Sequence, residues 1–159
     1  MKRFSGVSVL AACLIALMVP AALAANVHFK KTPTFTDNGT TLTVKGALAG
    51  LGNQDVTIRV TASGVATSIT CTNPAGHEAP GQNKPRVQSL GEQTITRTEI
   101  KNGNVSFSVT TADPAQLSAK QAGCPNNNWS ARINDVEFDE VTISVVQGGK
   151  VVLSKTFDV

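Results

Sequence analysis

The stretch Val141-Thr-Ile-Ser-Val-Val-Gln-Gly-Gly-Lys-Val-Val-Leu153 decides the fold class. Val141, Ile143 and Val145 recur at every second position with Thr142 and Ser144 between them, the period of a strand with one buried face and one wet face. Gly148-Gly149 then supplies two residues free to take positive φ, as a two-residue hairpin loop requires. The chain is expected to reverse at Gln147-Gly-Gly-Lys150 and to return through Val151 to Leu153.

The same pattern recurs upstream. Leu42-Thr-Val44, Val56-Thr-Ile-Arg-Val60 and Val105-Ser-Phe-Ser-Val109 all alternate branched or aromatic residues with polar ones. Asp37-Asn38-Gly39 and Asn102-Gly103 are turn sequences of the kind that join such strands. One short helix is expected over residues 113–121, with Asp113 as its N-cap and Pro114 at the first helical position. Short strands separated by Gly and Asn imply an all-β, immunoglobulin-like antiparallel β-sandwich, with an open β-barrel as the alternative. An antibody-type domain is not supported, because Trp129 follows both candidate disulfide cysteines and the chain has no tyrosine.

Residues 1–24 read as a secretory signal peptide. Lys2 and Arg3 precede an apolar run from Val7 to Val19, and Ala22-Leu-Ala24 offers small residues for cleavage. Residues 25–159 then form one β-sandwich domain, secreted to the cell exterior or periplasm. Lipid anchoring at Cys13 is disfavoured, since the apolar run continues past it to Ala25. The whole chain carries a net charge of +3, of which Lys2 and Arg3 supply two, so the exported part is close to neutral. Nucleic acid is therefore not an expected partner. No later apolar run is long enough to span a bilayer. Oligomeric state leaves no mark in the sequence.

Removal of Cys13 with the leader leaves Cys71 and Cys124. An even pair in an oxidising compartment points to one disulfide. Each cysteine adjoins an irregular segment. The first, Cys71-Thr-Asn-Pro-Ala-Gly-His-Glu-Ala-Pro-Gly-Gln-Asn-Lys-Pro85, holds three prolines, which exclude a central strand. The second, residues 122–128, carries Asn126, Asn127 and Asn128 and runs into Trp129. A Cys71–Cys124 bond would bring both to one end of the sandwich, the expected place for a binding surface; long loops in compact domains are usually functional or disordered.

Three stretches carry a resemblance: Leu42-Thr-Val-Lys-Gly-Ala-Leu-Ala-Gly-Leu-Gly-Asn53, Cys71-Thr-Asn-Pro-Ala-Gly76 with Pro80-Gly-Gln-Asn83, and Cys124-Pro-Asn-Asn-Asn-Trp129 through Asp135-Val136. The chain resembles a group of small secreted bacterial β-sandwich proteins of unknown function. The resemblance implies export and fold and supplies no activity.

The candidate binding residues are Asn73, His77, Gln82, Asn83, Asn126, Asn127, Asn128 and Trp129. The amides can hydrogen-bond hydroxyls or a partner's backbone, and they also form turns. Trp129 shares a strand face with Ala131 and Ile133, which favours burial; the other reading is an exposed platform for a sugar ring. Asp135, Glu137 and Asp139 would share one face of an extended strand and are weak candidates for calcium, but same-face neighbours lie about 7 Å apart. The apolar parity slips between Phe138 and Val141, so a turn or bulge is expected at Asp139-Glu140. His28 would be third in a chain beginning at Asn26 and could then help bind copper, whereas cleavage after Ala24 makes it fourth.

No cofactor is expected. Catalysis is disfavoured, because His28 and His77 are the only histidines and neither sits in a nucleophile motif. The sequence thus points to a non-catalytic binding protein that contacts an extracellular protein or polysaccharide through the joined loops. A carbohydrate-binding protein using Trp129 is the alternative, and a hydrolase centred on His77 the third reading.

Overall fold

The computed structural model describes residues 26–159. The expectations placed on the leader, on Cys13 and on the cleavage point lie outside the described residues. In chain order the elements are β1 (His28–Phe29), β2 (Thr34–Asp37), β3 (Leu42–Ala49), β4 (Val56–Thr72), β5 (Glu78–Pro80), β6 (Arg86–Ile95), β7 (Val105–Thr110), α1 (Ala119–Ala122), β8 (Ser130–Gln147) and β9 (Lys150–Asp158).

All strand pairs are antiparallel, and they form two sheets. In the smaller, β3 is the central strand, with β1 and β2 on one side and β7 on the other. In the larger, β4 and β8 run side by side along their whole length, with β5 and β6 beyond β4 and β9 beyond β8. The inner faces supply Leu42, Val44, Leu48, Phe107 and Val109 from one sheet and Val56, Ile58, Val60, Val141, Ile143 and Val145 from the other, all buried in one core. This is the expected sandwich.

The edges of the two layers are joined differently. Phe157 of β9 lies 5.6 Å from both Phe29 and Phe35, so a phenylalanine cluster seals that side. On the other side β6 and β7 meet closely: the Ser108 amide donates to Gln93 Oε1, and the Ala112 amide to the Leu90 carbonyl.

The hairpin at Gly148-Gly149 forms as expected, with φ of 58° and 74° and Gln147 paired to Lys150. Gln147 is buried and holds the β3–β4 connection: its Oε1 accepts from the Gly52 amide, and its Nε2 donates to the Gly52 and Gln54 carbonyls. Asn102-Gly103 is likewise a positive-φ turn, closed by a Lys101–Asn104 bridge.

β4 and β8 are much longer than the Val56–Val60 and Val141–Val145 alternations suggest. Their pairing continues because the parity is reset by bulges. β8 carries an extra residue at Asp139, as the slip between Phe138 and Val141 predicts, and another at Asn134, while β4 carries one at Thr67. The buried positions of β8 accordingly run Ala131, then Val136 and Phe138, then Val141, Ile143 and Val145. Gly64 sits opposite the Asp139 bulge, where an added Cβ would fall 2.3 Å from the Glu137 carbonyl oxygen. Only glycine lets the two backbones approach there.

The expected helix over 113–121 is corrected to the four residues of α1. Ser118 is its N-cap, its side chain taking the Gln121 amide while Gln121 Oε1 takes the Ser118 amide, a reciprocal capping box. Residues 111–118 instead form no regular element. Asp113 precedes a proline, which disfavours helical φ/ψ, and its carboxylate takes the Thr40 hydroxyl rather than a helix amide. The segment Cys71–Pro85 is also less irregular than expected, for β5 pairs with the last residues of β4 as an edge strand ending at Pro80. Proline is tolerated there because an edge has no second neighbour.

Candidate functional site

Cys71 and Cys124 are bonded, with Cα atoms 5.7 Å apart. Cys71 is fully buried, and Cys124 and the half-buried Trp129 both pack against the core. The bond draws the β4–β5 hairpin and the turn after α1 to the same end of the larger sheet. Asn83 reinforces the join: its Nδ2 donates to the Lys120 and Gln121 carbonyls, and its backbone amide to the Ala122 carbonyl. The last carbonyls of a helix lack partners within the helix, so this amide completes α1 from outside.

Several amides read as binding candidates are engaged in holding the turns. Asn73 Oδ1 accepts the Ala75 and His77 amides and forms the β4–β5 turn. Asn126 Oδ1 accepts the Asn128 amide, and Gln82 Nε2 donates to the Pro80 carbonyl. The side chains of Asn127 and Asn128 and the His77 ring are exposed and form no hydrogen bond among the described residues. Trp129 is half-buried, with Ala131 buried on the same face and Ser130 and Arg132 exposed on the other. It packs against the core and is not fully covered.

The three acids proposed for calcium do not converge. Asp135 and Glu137 share the outer face, since Val136 and Phe138 between and beyond them are buried, and Asp139 is the bulge residue. Asp139 instead accepts two hydrogen bonds from Arg86, at 2.6 and 2.8 Å, and Asp135 accepts the Thr67 hydroxyl. The hydrogen bond from Arg86 holds the Asp139 carboxyl below its ordinary range, and the same pair raises Arg86. Glu99 is lowered in the same sense by the Thr96 amide and hydroxyl. Among the described residues no three His, Cys, Asp or Glu side chains are grouped as a metal site. His28 lies on β1, its Nδ1 2.8 Å from the Asn26 carbonyl oxygen. Copper binding would need a chain that begins at Asn26, and the cleavage that would free that amine lies outside the described residues.

A cleft of about 620 Å³ opens beside the disulfide end. Thr40, Asp113, Pro114 and Gln116 form one wall; Thr72 and residues 130–133 form the other. The irregular 111–118 segment stands there where a second-layer strand would otherwise lie. The sequence did hold a signal for this: the residue before Pro114 favours extended backbone. Asp113, Gln116 and Arg132 do not stand out as site residues without that placement.

No family model and no curated protein matches the chain. Among solved structures, one similar in part is a glycosyl hydrolase family 2 member from Bacteroides cellulosilyticus, at 14% identity and a TM-score of 0.37, over 84% of this chain and 14% of that one. A second structure of a family 2 member from that species gives 13% identity and 0.36, over 84% and 15%. The chain thus spans a small part of either enzyme. Similarity at this level carries no conclusion about what the chain binds.

Proposed function

We propose that the chain is an exported, non-catalytic binding domain that meets an extracellular protein or polysaccharide with its disulfide end. The carrying observation is that the Cys71–Cys124 bond and the Asn83 bridge fix two loops as one surface, leaving His77, Asn127 and Asn128 exposed and unengaged. A rigid loop loses less entropy on binding than a mobile one. The leader supports export, as does the disulfide, which persists in oxidising compartments.

The test is position-specific photocrosslinking in extracts of the cell exterior, with the crosslinker at Asn127 or, on the outer face of the larger sheet, at Thr94. A partner is expected to be captured from Asn127 alone. Equal capture from both positions, or capture only from Thr94, would contradict the proposal.

The carbohydrate reading keeps one specific support, the incomplete burial of Trp129. It requires that a polysaccharide shift the fluorescence of this lone tryptophan and that Trp129→Ala abolish binding. An emission unchanged by every polysaccharide tried removes it.

A further inference from the structure

β9 pairs with β8 only over residues 140–147, and the Gly39 carbonyl takes the Val136 amide. Between that contact and the strand's start, residues 130–133 pair with β4 on one side and have no strand on the other among the described residues. No backbone hydrogen bond outside the β4 ladder reaches these four residues either. An unpaired strand edge presents alternate N–H and C=O groups and is a template for another strand. The same four residues form one wall of the 620 Å³ cleft.

From this coincidence we infer that the β8 edge at Ser130–Ile133 takes an extended peptide segment of a partner protein, which adds to the larger sheet in the lane that β9 occupies further along. The inference rests on the reading that the disulfide end is the contact end, and it names the partner chemistry. An alternation of backbone donors and acceptors is matched by another peptide backbone, whereas a polysaccharide offers hydroxyls without that spacing. The lane is short, about 13 Å for four residues, so a peptide of four to six residues fills it. Asp113, fixed by Thr40, and Gln116 face the incoming strand from the opposite wall and favour a residue with a hydrogen-bond donor at its centre. The Asn134 bulge lies beyond the stretch, and its side chain is tied to Thr70 within the sheet.

The test selects binders from a display library of linear ten-residue peptides on the intact oxidised protein, then maps the strongest by amide hydrogen exchange. The expected result is slowed exchange confined to residues 130–133 and the facing 113–116 segment. Gln116→Trp, which fills the cleft from an exposed position, is expected to weaken binding at least tenfold, and Thr94→Ala, on the outer face of the larger sheet, to leave it unchanged. Failure to enrich any peptide overturns the inference, as does a polysaccharide that protects the same amides. A peptide that protects residues 73–83 or 125–128 instead, and responds to Asn127→Ala but not to Gln116→Trp, also overturns it while leaving the contact-end proposal standing.

Discussion

The two halves of the β4–β8 pair are covered by different means. Over Val56–Ala62 and Val141–Gln147 the second layer is a sheet, and inward residues alternate without a break. Over Gly64–Thr72 and Ser130–Phe138 the cover is the irregular 111–118 segment, α1 and the disulfide, and the pairing is interrupted by bulges. A sheet laid on a sheet matches its spacing and buries each inward side chain. An irregular cover does not, so that half relies on a covalent bond, side-chain bridges and local changes of parity. It is also the half in which the 620 Å³ cleft runs along an unpaired stretch of β8.

The largest effect is expected from removing the disulfide. A closed loop of 53 residues contributes about 4 kcal/mol in the chain-entropy model, so Cys71→Ala with Cys124→Ala should lower unfolding free energy by about that amount in urea titrations. A loss below about 1 kcal/mol would mean that the irregular half holds itself together, which breaks the comparison. In the sheet-covered half, Ile143→Ala should cost about 3 kcal/mol, because Ile143 is fully buried and the layers on either side cannot collapse around the gap. Gly64→Ala probes the boundary between the halves. Its new methyl group meets the backbone of Glu137 and Phe138, and a cost of about 2 kcal/mol in the same titration is expected. An unchanged midpoint would show that the Asp139 bulge yields freely.

The smallest effect belongs to the exposed Arg86–Asp139 pair. Arg86→Ala should change stability little at neutral pH, as exposed ion pairs generally do. The Asp139 carboxyl is lowered in the folded state, so its contribution is fully present above the unfolded aspartate value of about 4 and is lost as pH falls through the lower folded value. Carboxyl NMR titrations should find Asp139 below the ordinary aspartate range in the native protein and moved back toward it in Arg86→Ala. No movement would place the cause elsewhere.

The sheet-covered half was the more legible in sequence, for physical reasons. Val141, Ile143 and Val145 alternate because one sheet faces another, and Gly148-Gly149 is needed by the turn itself. The parity slip after Phe138 even located the Asp139 bulge. The strand length was hidden, because Ala62, Ser63, Gly64 and Ala66 are small residues that carry no apolar signal yet pack where chains approach closely. The Asp113-Pro114 pair reads equally as a helix start and as an extended step, and the tie to Thr40, far away in sequence, decides it. The cysteine pairing located the candidate end, but the amides around it could not be sorted. Asn73, Asn83 and Asn126 hold turns and Asn127 does not, a distinction set by geometry within loops rather than by residue type.

The central claim is that the irregular half depends on the disulfide while the sheet-covered half does not. Amide hydrogen exchange of the oxidised and the reduced protein, compared residue by residue under native conditions, tests it most directly. The expected result is accelerated exchange at residues 66–85 and 117–136 on reduction, with Val56–Ala62 and Val141–Val145 little changed. Uniform acceleration along both long strands would contradict the account, since it would make the sandwich one cooperative unit with no separable working end.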